Sequence, residues 1–535
     1  MKKIKSRFLL CIGLLIIIFS SGCSTKDKEK PPNVKNTSLE EKNEKSSYKL
    51  PLTEKPTTLT WASNDNYYAP SSLNKQLEVW KEIEKKTNVE IQWEALPNSQ
   101  YIAEMQLKLS NEESLPDLLV VPNSDPTQYG QTGLFIPLET LIEKYAPNIE
   151  KAFKVYPGSK ELMTSADGHI YGLASIIEGS SDTLPNTFTI RKDWLQQLGL
   201  KEPNTLEEWH TVLKAFKEKD PNGNGKKDEI PFGSSPYYFG EAFGLELMSG
   251  SDFKVENDKV IYQWADERMR GYLSFVQGLY KEGLIDQDFG MEAIESTQMK
   301  VVKDKVGAYV NYPDWINSWQ KLLHSRGKIQ AKYIPILPPL GEKKERSLDS
   351  YFVIDKRFSS ISKNCKNPVL AIKLLDYLWS EEGIRYMAWG IEGKTYVIKQ
   401  GKESFTDFVI QNKEGLGLSD ALRTVGAWPT VPWIQQREQY LQILSLDPNF
   451  KNLPELIKPV LKKPFPMLLA NKEEQERLTI LENNISTYRD EMMIRFIIGD
   501  DPLKNFDKYI RELKSLGLEE LIQIKQKQYN RFMKH

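Results

Sequence analysis

Apolar runs with two different periods alternate between residues 59 and 121 of this chain. Residues 59–61 and 89–93 have the residue types or the strict alternation of strands, whereas 73–83 and 101–109 have apolar residues at helical spacing. The run at 118–121 is continuously apolar, as in a strand buried on both faces of a parallel sheet. This order of strands and helices predicts an open α/β sheet flanked by helices.

Polar residues follow two of these predicted strands directly. Asn64 and Asp65 come after the first strand, and Asn123 and Asp125 come after the third. Open α/β sheets bind their ligands beyond the carboxyl ends of the strands. We therefore predict that these four residues contact a ligand.

Length and charge restrict the class of protein. A chain of 535 residues is long enough for two or three domains. Its hydrophobic content of 40% and charged content of 27% are typical of globular proteins. The formal net charge is -1, so no overall basic character favours a nucleic-acid partner.

The N-terminal residues have the order of an export signal. Basic residues precede an apolar run at 8–19, which is too short for the roughly 20 residues that span a bilayer. The small residues before Cys23 resemble a bacterial lipobox, although Ser20 stands where an aliphatic residue is usual. We predict a lipoprotein signal peptide at 1–22 and lipid attachment at Cys23. The alternative is ordinary secretion with an incidental cysteine.

The next stretch, 23–55, is rich in Lys, Glu, Asn, Ser and Pro and lacks apolar periodicity. It predicts a disordered tether with a typical reach of ~30 Å. Cys11 would leave with the signal and Cys23 would carry lipid, so Cys365 would remain alone. We therefore expect no disulfide within the chain.

A short acidic loop is the strongest chemical motif. Oxygen-bearing side chains occupy positions 1, 3, 5 and 9, a glycine occupies position 6, and the carbonyl of position 7 is available, as in a Ca²⁺-binding EF-type loop. Position 12 is Pro231 instead of the usual Glu, and the carboxylate at position 10 could replace it. A solvent-exposed turn is the alternative. We predict a structural Ca²⁺ site formed by Asp220, Asn222, Asn224, Lys226, Asp228 and Glu229.

Motifs for catalysis are missing from the sequence. The four histidines, His169, His210, His324 and His535, include no HExxH pair, and there is no GxSxG elbow. A glycosidase needs only two well-placed carboxylates, so the sequence leaves a glycoside hydrolase or a polysaccharide lyase open.

Aromatic residues next to polar ones indicate carbohydrate binding. Sugar rings stack their C–H faces on aromatic rings, while their hydroxyls need polar partners. The segment 311–315 follows a predicted strand and combines both kinds of group. For any single tryptophan, core packing is the alternative. The predicted ligand contacts of this kind are Tyr312, Asp314, Trp315, Trp389 and Trp428.

Several segments together carry a family resemblance. The chain from 56 to 535 resembles the family 1 extracytoplasmic solute-binding lipoproteins of carbohydrate ABC importers, in the Gram-positive branch similar to alginate-oligosaccharide-binding proteins. The segments that carry it are 190–195 with 198–200, 203–209, the acidic loop 220–229, 280–286, 390–394 and 516–532.

The resemblance implies a type II periplasmic-binding-protein fold, in which two α/β lobes close on a sugar about hinge crossings. It places lobe 1 at 56–172 and 332–390, and lobe 2 at 173–331 and 391–535. It also supports Ca²⁺ in the acidic loop. For Arg191, an ion pair with Asp193 or a neighbouring helix is favoured over a ligand contact.

The function implied is that of a non-enzymatic receptor. A monomer anchored on the outer face of the cell membrane would capture an oligosaccharide and deliver it to an ABC permease. A lipid-anchored glycosidase or lyase, or a subunit that presents sugar to a sensor kinase, remains an alternative.

Overall fold

A computed structural model describes residues 49–66, 69–97, 100–122, 125–180, 186–248, 251–290, 294–341, 346–350 and 353–534. The predicted signal peptide, the lipid-attachment residue Cys23 and most of the predicted tether lie outside these residues. These described residues belong to one compact unit.

Most strands in the described residues are short and belong to two main sheets and three small ribbons. They are β1 (Thr57–Asn64), β2 (Val89–Leu96), β3 (Leu118–Pro122), β4 (Leu173–Ile177), β5 (Thr187–Arg191), β6 (Ile230–Phe232), β7 (Phe253–Glu256), β8 (Lys259–Tyr262), β9 (Val306–Asn311), β10 (Tyr333–Ile336), β11 (Leu348–Asp349), β12 (Ile354–Ile361), β13 (Tyr396–Lys399), β14 (Lys402–Phe405), β15 (Ile434–Gln435) and β16 (Leu461–Lys462).

Helices fill most of the sequence between these strands. They are α1 (Glu78–Thr87), α2 (Tyr101–Ser110), α3 (Asp125–Gln131), α4 (Glu139–Tyr145), α5 (Pro147–Val155), α6 (Ser159–Met163), α7 (Lys192–Gln197), α8 (Leu206–Glu218), α9 (Arg268–Lys281), α10 (Ile294–Val302), α11 (Pro313–Ser325), α12 (Pro368–Leu378), α13 (Glu381–Ala388), α14 (Asp407–Ile410), α15 (Leu418–Arg423), α16 (Arg437–Ser445), α17 (Leu453–Ile457), α18 (Lys472–Ile498), α19 (Phe506–Ser515) and α20 (Leu518–Phe532).

The first main sheet has the strand order β15–β4–β12–β3–β1–β2. Every strand except β12 runs in the same direction. The predicted strands β1, β2 and β3 are confirmed, and so is the parallel α/β class. The buried run of β3 lies between two neighbours in the sheet, which explains why its sequence is apolar without alternation.

The second main sheet has the order β10–β5–β9–β6. Strands β6, β9 and β10 share one direction, and β5 runs against them. The paired ribbons β7–β8, β11–β16 and β13–β14 lie outside both main sheets.

Two separate hydrophobic cores surround these sheets. The core at the first sheet draws on residues 59–176 and 354–443, and the core at the second sheet draws on residues 188–348 and 440–529. We call the corresponding halves the first and second lobes. Strand β4 and the apolar residues from 396 to 434 belong to the first core, whereas the sequence analysis assigned them to lobe 2.

Helix boundaries follow the capping residues. Thr205 and Glu208 form the predicted capping box at α8, and the Asn367 side chain accepts a hydrogen bond from the Leu370 amide at the start of α12. The first helix begins at Glu78 and not at Leu73. The reason is that Asp65 accepts hydrogen bonds from the Ser72 hydroxyl and the Leu73 amide, which hold this segment in a turn.

The last residues of the predicted tether contact the folded lobe. The Leu52 amide donates to the Thr87 carbonyl at 2.8 Å, and the Thr53 hydroxyl donates to the Asn88 carbonyl at 3.1 Å. Leu52 also packs against the first core. The ordered body therefore begins before residue 56, because the end of α1 offers free carbonyl groups to the incoming chain.

Candidate functional site

The two lobes meet at the carboxyl ends of their strands. The chain passes from the end of β4 to the start of β5, and it returns from the end of β10 towards the start of β12. Strands β6, β9 and β10 end at the edge where β5 begins. Both lobes therefore direct strand carboxyl ends towards the crossing segments, where open α/β sheets bind ligands.

In the first lobe, Asn64 lies beside a loop that is distant in sequence. The Thr430 hydroxyl is 2.7 Å from the Ser63 hydroxyl, and it donates to the Asn64 carbonyl at 3.3 Å. Trp428 lies two residues before Thr430. The structure thus brings the predicted contacts Asn64 and Trp428 to the same region of the sheet edge.

Trp428 has an unusual backbone conformation. Its φ is 52°, a left-handed value that is an outlier for a bulky residue. Its amide donates to the Met387 carbonyl at 2.8 Å, and its ring meets Trp433 edge to face at 5.3 Å. The ring is only partly buried. Strained residues cluster at ligand sites, which favours Trp428 as the stacking ring of the first lobe.

In the second lobe, Tyr312 and Trp315 follow β9. Tyr312 precedes α11 and is 41% exposed, and its ring lies 6.1 Å from the half-buried ring of Trp315. Tyr238 is a neighbour: burial raises the pKa of its phenol, and Tyr312 raises it further. These three residues form an aromatic surface at the carboxyl end of β9, which we call the β9 aromatic surface.

Asp314 lies on the same helix but turns away from solvent. It is buried, and its carboxylate accepts hydrogen bonds from the Leu418 amide at 3.0 Å, the Ser419 amide at 3.1 Å and the Ser419 hydroxyl at 2.6 Å. Burial raises the pKa of Asp314. Its oxygens are therefore committed to the start of α15 and not to a sugar.

Two other predicted contacts have structural roles. Asp65 holds the turn after β1, as described above, and Trp389 is 1% exposed and donates its indole N–H to Gln436 at 2.6 Å. Trp389 packs on Phe405 in the core of the first lobe, so it presents no ring face to solvent. The residue Asn123 and the side chain of Asp125 lie outside the described part of the chain.

Some residues at this edge were not predicted from the sequence. Ser63, Thr430 and Tyr238 are small or common residues without a motif, and only the fold brings them to the sheet edges. The turn residues of Gly426 to Pro429 around Trp428 were the available signal for a loop there.

The acidic loop connects α8 to β6. The Asp220 carboxylate accepts hydrogen bonds from the Asn224 amide at 3.1 Å and the Gly225 amide at 2.9 Å. The Asn222 and Asn224 side-chain oxygens accept bonds from the amides of Asn224 and Lys226, respectively. Gly225 has a φ of 74°, which permits the sharp turn at position 6. The loop therefore curls around its own side-chain oxygens.

Glu229 is the decisive residue for a metal in this loop. It is 1% exposed, and neither carboxylate oxygen has a hydrogen-bond partner among the described residues. Burial raises the pKa of Glu229, and the carboxylates of Asp220 and Asp228 raise it further. A buried carboxylate without a partner is costly, and a hard cation satisfies it.

The described residues contain no group of three or more His, Cys, Asp or Glu side chains arranged to hold a metal. A Ca²⁺ ion in this loop would also be bound by the side-chain oxygens of Asn222 and Asn224 and by the backbone carbonyl of Lys226. Oxygens of these kinds are not among the His, Cys, Asp and Glu side chains counted in such a group. The donor types and the orphaned Glu229 fit Ca²⁺.

The loop is attached to the strand that leads to the β9 aromatic surface. The side-chain amide of Asn222 donates to the Asp304 backbone carbonyl at 3.1 Å, and the Lys305 ammonium lies 3.0 Å from Asp228. Asp304 also pairs with Arg191, which binds Asp193 as predicted. The loop therefore fixes the start of β9.

Comparison with known families decides the class of protein. The family model of bacterial extracellular solute-binding proteins matches residues 70–384, more than half of the chain. The chain belongs to this family. The predicted family membership is confirmed.

Curated relatives match almost the full length of this solute-binding protein. The fructooligosaccharide ABC transporter substrate-binding protein FusA of Streptococcus pneumoniae is 26% identical, with 99% of this chain and 98% of the relative covered. The lipoprotein LipO of Bacillus subtilis is 27% identical, with 86% and 90% covered.

Solved structures confirm the predicted two-lobed fold. The calcium-free crystal structure of the alginate-binding protein AlgQ2 has a TM-score of 0.79 and 29% identity, covering 90% of this chain and 99% of that protein. The complex of FusA with kestose has a TM-score of 0.72 and 25% identity, covering 89% and 99%. AlgQ2 is described as an alginate-binding protein and FusA as the substrate-binding protein of an ABC transporter.

Across the described ranges, no helix combines the length and the apolar character needed to cross a bilayer.

Proposed function

We propose that this solute-binding protein is the substrate-binding subunit of an ABC importer that captures an oligosaccharide outside the cell. The observation that carries the proposal is the pair of aromatic groups at the lobe junction: Trp428 in the first lobe and the β9 aromatic surface in the second. Aromatic faces from two lobes can enclose sugar rings, while the partly exposed Thr430 beside the buried Asn64 offers a hydroxyl group to them.

Lobe closure links binding to delivery. A sugar that contacts both lobes binds the closed arrangement better than the open one, so it shifts the population towards the closed form. The permease then distinguishes loaded from empty receptor by the relative position of the lobes. No bond in the sugar changes in this cycle.

We also propose that the acidic loop binds Ca²⁺ as a structural ion. Asp220, Asn222, Asn224, Asp228 and Glu229 would hold it with side-chain oxygens, together with the carbonyl of Lys226. The ion supplies positive charge to a cluster that otherwise leaves the Glu229 carboxylate without a partner. The AlgQ2 structure described as calcium-free and an EF-hand mutant of FusA support the idea that relatives bind Ca²⁺ at this kind of loop.

For location, we propose a monomer held on the outer face of the membrane by lipid on Cys23. The lipobox-like sequence supports this anchor, and so does the similarity to the lipoprotein LipO. A tether of this composition would let the body move near its permease without diffusing away.

A binding experiment tests the main proposal. Purified protein would be titrated calorimetrically with neutral fructooligosaccharides, uronate oligosaccharides and other glycans, and each mixture would then be analysed for shortened products. We expect tight binding of an intact oligosaccharide and no products. Cleavage of a bound glycan would instead support the glycosidase or lyase alternative. Uptake of labelled sugar by cells with and without the gene separates import from sensing.

A further inference from the structure

A buried carboxylate ties the two lobes together next to the β9 aromatic surface. Asp314 lies on α11, whose apolar residues Ile316 and Trp319 belong to the core of the second lobe. Its three hydrogen bonds go to Leu418 and Ser419 at the start of α15. Leu418 belongs to the core of the first lobe. Asp314 therefore bridges the two cores directly.

Helix α15 depends on this carboxylate for its first amides. The residue before the helix is Gly417, which has no side chain to cap it. A Cβ atom at Gly417 would lie 2.2 Å from the Ser318 hydroxyl of α11, so the close approach of the two lobes requires glycine here. A residue of the other lobe thus provides the cap that the local sequence lacks.

A further contact extends along the same junction. The Lys321 ammonium of α11 donates to the carbonyl of Ile410, which packs against the first core, at 2.7 Å. The charged groups that act on Asp314 are the carboxylate of Asp420 and the ammonium of Lys321. The junction is therefore built from specific polar contacts and not only from surface proximity.

The position of this tie relates it to the sugar. Asp314 is two residues after Tyr312, and α15 ends five residues before Trp428. We propose that Asp314 is a positioning residue that sets the spacing between the β9 aromatic surface and Trp428, and so determines the affinity for oligosaccharide. This role rests on the proposed function, although the tie itself can be measured without ligand.

The test compares two buried aspartates that bind backbone amides. The Asp314 carboxylate accepts hydrogen bonds from the backbone amides of Leu418 and Ser419. In Asp314→Asn, a side-chain NH₂ group replaces one of the two accepting oxygens, so that one of these bonds is lost. The matched control is Asp376→Asn, because the buried Asp376 accepts from the amide of Ile149, a residue of the first core, at 2.9 Å. Ser419→Ala removes a single bond and gives a milder variant if Asp314→Asn folds poorly.

We expect Asp314→Asn to raise the Kd for the bound oligosaccharide about tenfold or more, and Ser419→Ala to raise it less. X-ray scattering without ligand should give a larger radius of gyration for Asp314→Asn than for wild type. Asp376→Asn should lower the Tm and leave both the Kd and the radius unchanged.

Two results would overturn the proposal. One is a wild-type protein that binds sugar while Asp314→Asn and Ser419→Ala bind equally well. The other is an unchanged radius of gyration in Asp314→Asn. If wild type binds no oligosaccharide, the proposed function fails, and the scattering comparison alone decides whether Asp314 ties the lobes.

Discussion

Trp428 and Trp433 meet edge to face in the first lobe, with ring centroids 5.3 Å apart and planes at 60°. Trp433 is buried in the first core, whereas Trp428 is partly exposed and has a left-handed backbone. The buried ring therefore supports the exposed one from its side. This arrangement holds the Trp428 ring in one orientation in the free protein. The entropic cost of ordering that side chain on ligand binding is therefore smaller.

Replacing Trp428 tests its role as a stacking ring. We expect Trp428→Ala to weaken oligosaccharide binding by about tenfold or more, because aromatic anchors in binding sites contribute on the order of 2 kcal/mol. The Tm should also fall by several degrees, because the partly buried ring packs against the first core. Calorimetric titration and a melting curve on the same preparation measure both quantities.

Trp389 is the matched control for this substitution. It is 1% exposed and bound to Gln436, so Trp389→Phe removes packing and one hydrogen bond inside the first core. We expect a loss of about 1–3 kcal/mol in the free energy of unfolding and an unchanged Kd. The stacking assignment is wrong if the Trp389 variant loses affinity while the Trp428 variant keeps it.

Bound Ca²⁺ should raise the free energy of unfolding, whereas the Glu229 carboxylate should lower it when no metal is bound. In wild type, Ca²⁺ at 100 times its Kd should stabilise the fold by about 2.7 kcal/mol, and excess EGTA should remove this gain. Glu229→Gln removes a charge that is buried without a partner. We therefore expect the variant to melt at or above wild type in EGTA and to gain less from Ca²⁺.

Differential scanning calorimetry in EGTA and in Ca²⁺ measures both effects. Asp258→Asn is the control, because Asp258 lies in another turn with a left-handed φ of 62° outside the acidic loop. This variant should respond to Ca²⁺ like wild type. An unchanged wild-type Tm in EGTA would contradict the calcium site.

The anchor prediction concerns location alone. If lipid on Cys23 holds the protein at the membrane, Cys23→Ser should release it into the culture medium of a Gram-positive host. Cell fractionation followed by immunoblotting measures the distribution. The variant Cys365→Ser, whose thiol is partly buried in the first lobe, should stay with the membrane fraction like wild type.

Local sequence patterns predicted the elements better than the ligand site. The alternation around Val89 to Trp93 and the capping box at Thr205 depend on near neighbours, and both are confirmed. The acidic loop was also recognisable as a motif, because its oxygen-bearing residues lie within ten positions of one another in the sequence.

The role of Asp314 at the lobe junction could not be predicted this way. Asp314 stands beside two aromatic residues in the sequence, and this neighbourhood predicted a sugar contact. Its carboxylate instead binds the amides of Leu418 and Ser419, about a hundred residues later in the chain. Whether a polar group faces ligand or caps a distant helix depends on tertiary packing, which no local pattern contains.

A buried carboxylate in the second lobe should make stability depend on pH. Glu241 is 8% exposed and accepts a hydrogen bond from the Ser347 hydroxyl at 2.8 Å. Lys462 lies 3.7 Å away but binds Glu246 more closely at 2.6 Å, and Asp349 is also nearby. Burial raises the pKa of Glu241 from 4.5 to about 8, with Asp349 and Glu246 contributing to the increase and Lys462 opposing it.

The direction of the effect follows from proton binding. Between pH 4.5 and about 8, folded Glu241 keeps its proton while the unfolded chain releases it, so stability falls as pH rises through this range. Glu241→Gln cannot titrate. We therefore expect the free energy of unfolding of the variant, relative to wild type, to increase by on the order of 2 kcal/mol from pH 5 to pH 8.5, with the neighbouring Lys462 limiting the increase.

Urea unfolding at both pH values measures this difference. The control is Glu381→Gln, which replaces a 77% exposed carboxylate and should follow wild type. Parallel pH dependence in wild type and Glu241→Gln would show that this carboxyl group is ionised throughout.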